Sequence, residues 1–285
     1  MRLTVIAAVD VGERASGVAV GEKAVWAVDG ERTLLRVDPG SKSITGRIDV
    51  ADGAQQVAVG EGGVWISGRS AVSRVDPATA RVTARLEVGS PRGLAAGKGA
   101  VWVANGQDDG TLSRIDPKSM RVSATIKVPA HPEETLPIPQ DPGDVAIGEG
   151  GVWVTDRRVG TVSRVDPGSN RVTLIRDRMG LDSTGVAAGE AHVWVVSTLG
   201  LHRLDPDKRF PDRFDVVDMP SGVAVGKGAM WVSNFGNDTL ARIDPRTGRR
   251  TRAIELQESP VGLALGFGSV WVVGSQGLLS RVSES

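Results

Sequence analysis

The sequence has no cysteine and no tyrosine, and its 285 residues include only four phenylalanines and three histidines. The absence of cysteine excludes disulfides, thiol nucleophiles and thiolate metal sites. No apolar run approaches the roughly 20 residues that cross a bilayer, so we expect no membrane insertion. The stretch LTVIAAVDV near the start is too short for that and lacks a cleavage pattern. The compartment stays open: the cytoplasm, or export after removal of a signal peptide.

An excess of either charge is also missing, because 34 Lys and Arg residues balance 34 Asp and Glu residues. Proteins that bind nucleic acid through its phosphates rely on a basic surplus. We therefore expect no nucleic-acid partner. A small-molecule or peptide ligand agrees with this composition, and we expect the chain to be a monomer.

Tryptophan, in contrast, occurs seven times and always in the same setting. Successive copies are 39, 37, 51, 41, 37 and 40 residues apart, and Arg-x-Asp-Pro follows six of them. The copies are Trp26, Trp65, Trp102, Trp153, Trp194, Trp231 and Trp271. A period near 40 residues indicates a repeat architecture. We number the repeats 1–7 in chain order.

Repeats 1–6 each divide into four short runs that are rich in Val, Ile, Thr and Trp. In repeat 3 these runs are GLAAG, AVWVAN, TLSRID and RVSATIKV, with lengths typical of strands. Four strands in about 40 residues are typical of one β-propeller blade. The sequence therefore predicts an all-β fold, a seven-bladed β-propeller of four-stranded blades that forms one domain over residues 1–285.

The two ends of the chain complement each other. Repeat 7 has three strands, while the first residues, RLTVIAAVDVG, match the outer strand of other repeats, such as RVTARLEVG. We expect the N-terminal strand to complete the last blade and to close the ring, which leaves only short outer edges.

The repeated residues suit a structural role. A Trp on the second strand fills the wedge between blades, and Arg114 and Asp116, two residues apart on one strand, share a face. Asp followed by Pro starts a turn, because Asp accepts the turn's N–H groups and Pro presets φ. An Asp-based catalytic role would not need six copies.

Strand direction assigns the connections to two sides of the ring. The Gly-rich turns after the inner strands and the Asp-Pro turns share one side, which we call the turn face. The connections after the Trp strands and those leading into the inner strands share the other, the variable face. Loops that vary on a rigid scaffold are the usual place for binding.

The position that begins each inner strand, here called the mouth position, is glycine in five repeats. The two exceptions are Gln56 and Asp144, and Arg92 stands directly before the glycine of the repeat between them. Residues 129–143 form a Pro-rich insertion in the same sector. We expect this loop to cover the variable face beside blades 3 and 4 as a partial lid.

These features predict a polar pocket at the variable mouth of blades 2–4. Its candidate ligand-binding residues are Gln56, Arg69, Arg92, Asn105, Asp144, Asp156 and Arg157. Arg92 is suited to hold an anionic or carbonyl oxygen. Alternatively, Arg92 and Asp144 pair with each other across neighbouring blades, since charges near a narrow channel need partners.

Other chemistry has weaker signals. His131 is the candidate catalytic base, beside Glu133 or Glu134, although a lone loop histidine is also compatible with simple solvation. Asn105, Asp108 and Asp109 resemble a hard-cation site in residue type, but their GQDDG context favours a plain solvated turn. The sequence therefore does not identify a cofactor, and Mg²⁺ and Ca²⁺ are the candidates.

The repeat VWVAN…GTLSRIDP…VSATIKV resembles the seven-bladed propellers grouped with virginiamycin B lyase and the YVTN-repeat proteins. The likeness covers essentially the whole chain and implies the propeller fold. Streptogramin B lyases of that group open a cyclic depsipeptide by elimination, with a His base and acidic residues that hold Mg²⁺ near the channel mouth. No histidine occupies a mouth position here, which leaves Asp144, Asp156 and His131 for such roles. The YVTN-type propellers mostly resemble binding or sensor modules.

Two function classes follow. The first is a propeller that binds a small molecule, peptide or protein without chemistry, and the sequence favours it because no catalytic constellation is explicit. The second is a metal-assisted lyase or hydrolase at the mouth of blades 2–4, which would act on a cyclic peptide or ester-like substrate.

Overall fold

A computed structural model describes residues 2–50, 53–106, 110–129, 140–175, 185–205, 212–215 and 218–284. Within these ranges there are 28 strands and no helix, and thus no helix able to span a membrane. The strands are β1 Leu3–Asp10, β2 Gly17–Gly21, β3 Ala24–Val28, β4 Thr33–Val37, β5 Ile44–Asp49, β6 Gln56–Gly60, β7 Gly63–Ser67, β8 Ala71–Asp76, β9 Arg81–Glu87, β10 Ser90–Gly97, β11 Ala100–Gly106, β12 Thr111–Asp116, β13 Arg121–Lys127, β14 Pro142–Gly148, β15 Gly151–Asp156, β16 Val162–Val165, β17 Val172–Ile175, β18 Gly185–Gly189, β19 His192–Ser197, β20 Gly200–Leu204, β21 Asp212–Phe214, β22 Pro220–Gly226, β23 Ala229–Asn234, β24 Thr239–Ile243, β25 Arg250–Glu255, β26 Pro260–Gly266, β27 Ser269–Gly274 and β28 Leu278–Glu284.

The strands form seven four-stranded antiparallel sheets in a ring, which confirms the predicted propeller. Six blades are built from consecutive strands, from β2–β5 in blade 1 to β22–β25 in blade 6. The inner strands β2, β6, β10, β14, β18, β22 and β26 contact their neighbours in turn, and β26 contacts β2. Blade 7 has the order β1-β28-β27-β26, with Leu3 opposite Glu284 and Asp10 opposite Leu278. The N-terminal strand therefore closes the ring, as predicted.

Burial differs strongly between the strands of a blade. The second strand of every blade is buried along nearly its whole length, whereas outer strands such as β9 and β25 alternate between exposed and half-buried residues. This agrees with sheets that pack on two neighbours near the axis and meet solvent at the rim. Separate apolar clusters between successive blades form the core.

Each Trp faces an Arg across the second and third strands, and in six blades this Arg begins the Arg-x-Asp-Pro sequence. Trp102 is directly opposite Arg114 in the register of β11 and β12, and the same pairing occurs in the other six blades. The guanidinium carbons lie 5.2–6.0 Å from the indole centroids, within the range of a cation–π contact. The repeated Arg therefore covers the Trp that fills the wedge, a relationship that the sequence did not indicate.

Two kinds of turn shape the turn face. In the Asp-Pro turns the carboxylate accepts the following N–H groups, as Asp116 Oδ1 does from Lys118 and Ser119 at 2.8 and 2.9 Å. These hydrogen bonds lower the pKa of Asp116 from its ordinary value. The Gly-rich turns have two central residues with positive φ in all seven blades, for example Lys98 (56°) and Gly99 (73°). They are therefore type I′ hairpins, which suit the strand twist.

Candidate functional site

A cavity of about 490 Å³ opens at the mouth of the central channel on the variable face. We call it the mouth cavity. Residues at or next to the mouth positions of all seven blades line it, from Ser16 in blade 1 to Leu263 in blade 7. The cavity is therefore wider than the predicted pocket, which was confined to blades 2–4.

The two sides of the mouth cavity differ in chemistry. Among the described residues, charged and amide side chains of the lining come only from blades 2–4, which also contribute Val57, Leu94 and Val145. The charged and amide residues are Gln55, Gln56, Arg92, Asp144 and Arg157. From the described part of blades 5–7 come small and apolar residues and one serine, which are Gly185, Val186, Ser221, Gly222, Val223, Val261, Gly262 and Leu263. Pockets for small ligands commonly combine an apolar lining with a few placed polar groups.

Hydrogen bonds between neighbouring blades hold the rim of the cavity. The Ser16 hydroxyl donates to the carbonyl of Gln55 at 2.8 Å, and the Ser67 hydroxyl donates to the carbonyl of Arg92 at 2.9 Å. On the other side, the Ser221 hydroxyl donates to the carbonyl of Pro260 at 2.6 Å. These hydrogen bonds join neighbouring blades at three places around the cavity.

Asp144 occupies the mouth position of blade 4. Its Oδ1 accepts the N–H of Val145 and its Oδ2 accepts the N–H of Val186 in blade 5, both at 2.9 Å. Burial among the inner strands raises the pKa of Asp144 to about 6, although these two hydrogen bonds act in the opposite direction. Asp144 makes no ion pair with any residue in the described ranges.

Arg92 pairs with Asp141 and not with Asp144, so the predicted alternative pair was wrong in its partner. The Arg92 Nε lies 3.1 Å from Asp141 Oδ1, and the two side chains are 29% and 13% exposed. A Cβ at Gly106 would collide with both side chains. The Arg92 side chain therefore runs over this glycine, towards the residues that precede β14.

Arg157 follows the Trp strand of blade 4 and lines the mouth cavity beside Asp144. The stem of Arg157 passes over Gly143, where a Cβ would come within 2.6 Å of its Cγ. Its backbone N–H donates to the carbonyl of Asp141 at 3.1 Å. Its guanidinium has no acidic partner among the described residues.

Three other candidate residues lie outside the mouth cavity. Asn105 is buried and donates from Nδ2 to the hydroxyls of Thr111 and Ser113 at 2.9 and 2.8 Å. Asp156 is also buried, and it accepts the N–H groups of residues 141, 158 and 159. Burial raises the pKa of Asp156. Arg69 is exposed on the loop between β7 and β8.

The remaining candidates lie outside the described residues. These are His131 with Glu133 and Glu134, most of the predicted lid, and Asp108 and Asp109. At the C-terminal end of the predicted loop, Pro142 and Gly143 belong to β14.

The sequence reasoning missed three polar residues of the mouth cavity. Ser16, Gln55 and Ser221 each stand one residue before a mouth position, as Arg92 does. The position directly before each mouth position carries a polar residue in five of the seven repeats.

A metal site of the kind that the family resemblance implies does not fit the described residues. Among them, no group of three or more His, Asp or Glu side chains could hold a metal ion. Asp144 is the carboxylate that lines the mouth cavity, while Asp141 is engaged by Arg92.

Comparison with known proteins locates the chain by its fold. No protein-family model matches it, and no curated protein does. The crystal structure of selenomethionine-substituted virginiamycin B lyase from Staphylococcus aureus matches over 100% of both chains, with a TM-score of 0.84. The chain shares the fold of virginiamycin B lyase. The sequence identity is 13%, so the likeness to virginiamycin B lyase shows the fold alone.

Proposed function

We propose that the protein is a β-propeller binding module that takes a small molecule or peptide into the mouth cavity. The observation that carries the proposal is the division of this cavity into a charged wall in blades 2–4 and an apolar wall in blades 5–7. Gln56, Asp144 and Arg157 would orient the ligand, while the Val and Leu residues opposite would bury its apolar part. The volume of about 490 Å³ lies in the usual range for small-ligand pockets.

The hydrogen bonds between blades around the mouth cavity also support a role in ligand binding. A pocket that is already held in shape loses less conformational entropy on binding than one that must order first. The hydrogen bonds from Ser16, Ser67 and Ser221 to the next blade supply this order at three places around the ring.

Soaking crystals of the protein separately with acetate, imidazole and urea tests the proposal. We expect density for at least one of them in the mouth cavity, within hydrogen-bond reach of Arg157, Asp144 or Gln56. Binding only at the turn face, or none at all in well-diffracting crystals, would contradict the proposed function.

A second candidate, a metal-assisted lyase or hydrolase, is the kind of activity that the name of the structural neighbour, virginiamycin B lyase, suggests. The described residues offer no ligand set for the ion, and we derive no step through a metal. Thermal melting with Mg²⁺ or Ca²⁺ separates the two candidates, because an ion that binds the native state raises its stability. A binding module without a metal should melt at the same temperature with either ion.

A further inference from the structure

Two opposite charges in the mouth cavity have no ion-pair partner within the part of the chain that the structure describes. Asp144 and Arg157 both line the cavity, yet neither makes an ion pair with a residue in the described ranges, and they do not pair with each other. The remaining charged residue of the lining, Arg92, is neutralised by Asp141 at 3.1 Å. Partly buried charges are stabilised when they find a partner of opposite sign. The arrangement therefore presents one anionic and one cationic group to whatever enters.

Asp144 and Arg157 are held in place by contacts that leave hydrogen-bonding sites on both side chains unused. Backbone N–H groups of Val145 and Val186 fix both oxygens of Asp144, but a carboxylate has about four acceptor sites. The unused sites suit an ammonium group. The Arg157 stem is placed over Gly143, and its guanidinium can grip a carboxylate through two parallel hydrogen bonds.

We infer that the ligand is a zwitterion in which an ammonium group meets Asp144 and a carboxylate meets Arg157. This inference rests on the proposed function. The apolar wall formed by Val186, Val223 and Leu263 would then receive a hydrocarbon side group. The cavity has room for a drug-sized ligand, which fits a short linear peptide better than a single amino acid.

Calorimetric titration with three related probes tests the inference. Alanylalanine carries both charges, N-acetylalanylalanine lacks the ammonium group, and alanylalanine amide lacks the carboxylate. We expect the wild-type protein to bind alanylalanine about tenfold or more tighter than either blocked form, since each blocked form loses a hydrogen bond between two charged groups.

Two variants assign each charge to its residue. Asp144→Asn should lose the preference for alanylalanine over the acetylated form and keep the preference over the amide. Arg157→Gln should show the reverse. Arg158→Gln is the matched control, because Arg158 is the exposed neighbour of Arg157 and does not line the cavity. We expect this variant to behave like the wild type.

Equal affinities for the three probes, or no binding of alanylalanine to the wild type, would overturn the zwitterion. If the crystal soaks place acetate or imidazole in the cavity at the same time, the proposed function survives and only the ligand class fails. Because Asp144 also joins two blades, melting curves accompany its variant. If that variant does not fold, the wild-type and Arg157→Gln titrations still decide the question.

Discussion

The guanidinium carbon of Arg114 lies 5.2 Å from the centroid of the Trp102 ring, and the two residues are directly opposite each other on strands β12 and β11. The indole N–H of Trp102 donates to the carbonyl of Gly97 at 3.2 Å. The side chain that fills the wedge is therefore held by a cation on its face and by a hydrogen bond at its edge. A substitution of Trp102 therefore removes a cation–π contact, a hydrogen bond or both.

Replacing Trp102 by Phe should lower the free energy of unfolding more than the same change at Trp231. Both substitutions shorten a buried aromatic side chain beneath an Arg. Trp231, however, makes no indole hydrogen bond to a described residue. We expect the difference to be about 1 kcal/mol, the usual net contribution of one hydrogen bond. Urea unfolding of both variants measures it, and equal losses would show that the bond to Gly97 contributes nothing.

The closing strand gives a second prediction. Leu3 is 7% exposed and packs with Trp231 and Val282, whereas Ile6 on the same strand is 41% exposed. Leu3→Ala should destabilise the protein by about 2–4 kcal/mol through a core cavity, while Ile6→Ala should change stability by no more than about 0.5 kcal/mol. Deleting residues 1–11 should lower the melting temperature sharply. A ring that melts unchanged without this strand would refute the closure.

The type I′ hairpins predict opposite effects for two exchanges between alanine and glycine. Ala191 is exposed with a φ of 64°, and Gly99 has a φ of 73° with open space where a Cβ would lie. Because residues with a Cβ are strained at positive φ, Ala191→Gly should stabilise and Gly99→Ala should destabilise, each by about 1 kcal/mol. Thermal denaturation checks both signs, and a shared sign would contradict the turn geometry.

Asp144 should make stability fall as pH rises. Its pKa is raised to about 6 in the folded protein from an ordinary 3.8, so the folded state holds the proton more strongly than the unfolded state does. The advantage of wild type over Asp144→Asn should therefore shrink between about pH 4 and pH 6.5, by up to about 2–3 kcal/mol. Urea unfolding across this range measures the change.

Asp166 provides the control of opposite sign. Hydrogen bonds from Ser169 lower its pKa, so the folded state favours the charged form. The stability that Asp166 adds is present above about pH 4 and is lost as pH falls further. Asp166→Asn should therefore approach the wild type in acid, and a slope like that of Asp144 would contradict the assignment.

The ion pair of Arg92 and Asp141 suits a double-mutant cycle. With side chains that are only 29% and 13% exposed, the pair should couple more strongly than surface pairs, whose coupling is about 0.2–1 kcal/mol. We expect a coupling free energy of about 1 kcal/mol or more from Arg92→Ala, Asp141→Ala and the double variant. A coupling free energy near zero would show that Asp141 does not hold Arg92, which would then be available to bind a ligand.

The sequence predicted the fold because each blade repeats the same spacing of strands and turns, and because the first strand matches the one that blade 7 lacks. It could not predict that Arg114 covers Trp102, since this depends on the register between two strands and on the direction of a long side chain. The spacing of Arg114 and Asp116 predicts that they share one face of the strand, but it does not predict which residue the Arg114 guanidinium contacts.

The sequence indicated where the candidate residues lie better than which groups they contact. Gln56 and Asp144 line the mouth cavity, and both are visible in the repeats as departures from glycine at the mouth positions. Arg92, one residue before a mouth position, and Arg157, after a Trp strand, line it as well. Asn105 and Asp156 are instead consumed within their own blade, where a short polar side chain closes the turn after the Trp strand. Nothing in the spacing distinguishes a side chain that closes a turn from one that faces a ligand.

The pairing of β1 with β28 has a consequence for biosynthesis. A ribosome adds about 5–20 residues per second, and β28 ends at Glu284. Strand β1 is therefore made well before its partner β28, and in the meantime its backbone donors and acceptors are available to other nascent chains. Blades 1–6 can form while translation proceeds, but the ring closes only after β28 has left the exit tunnel.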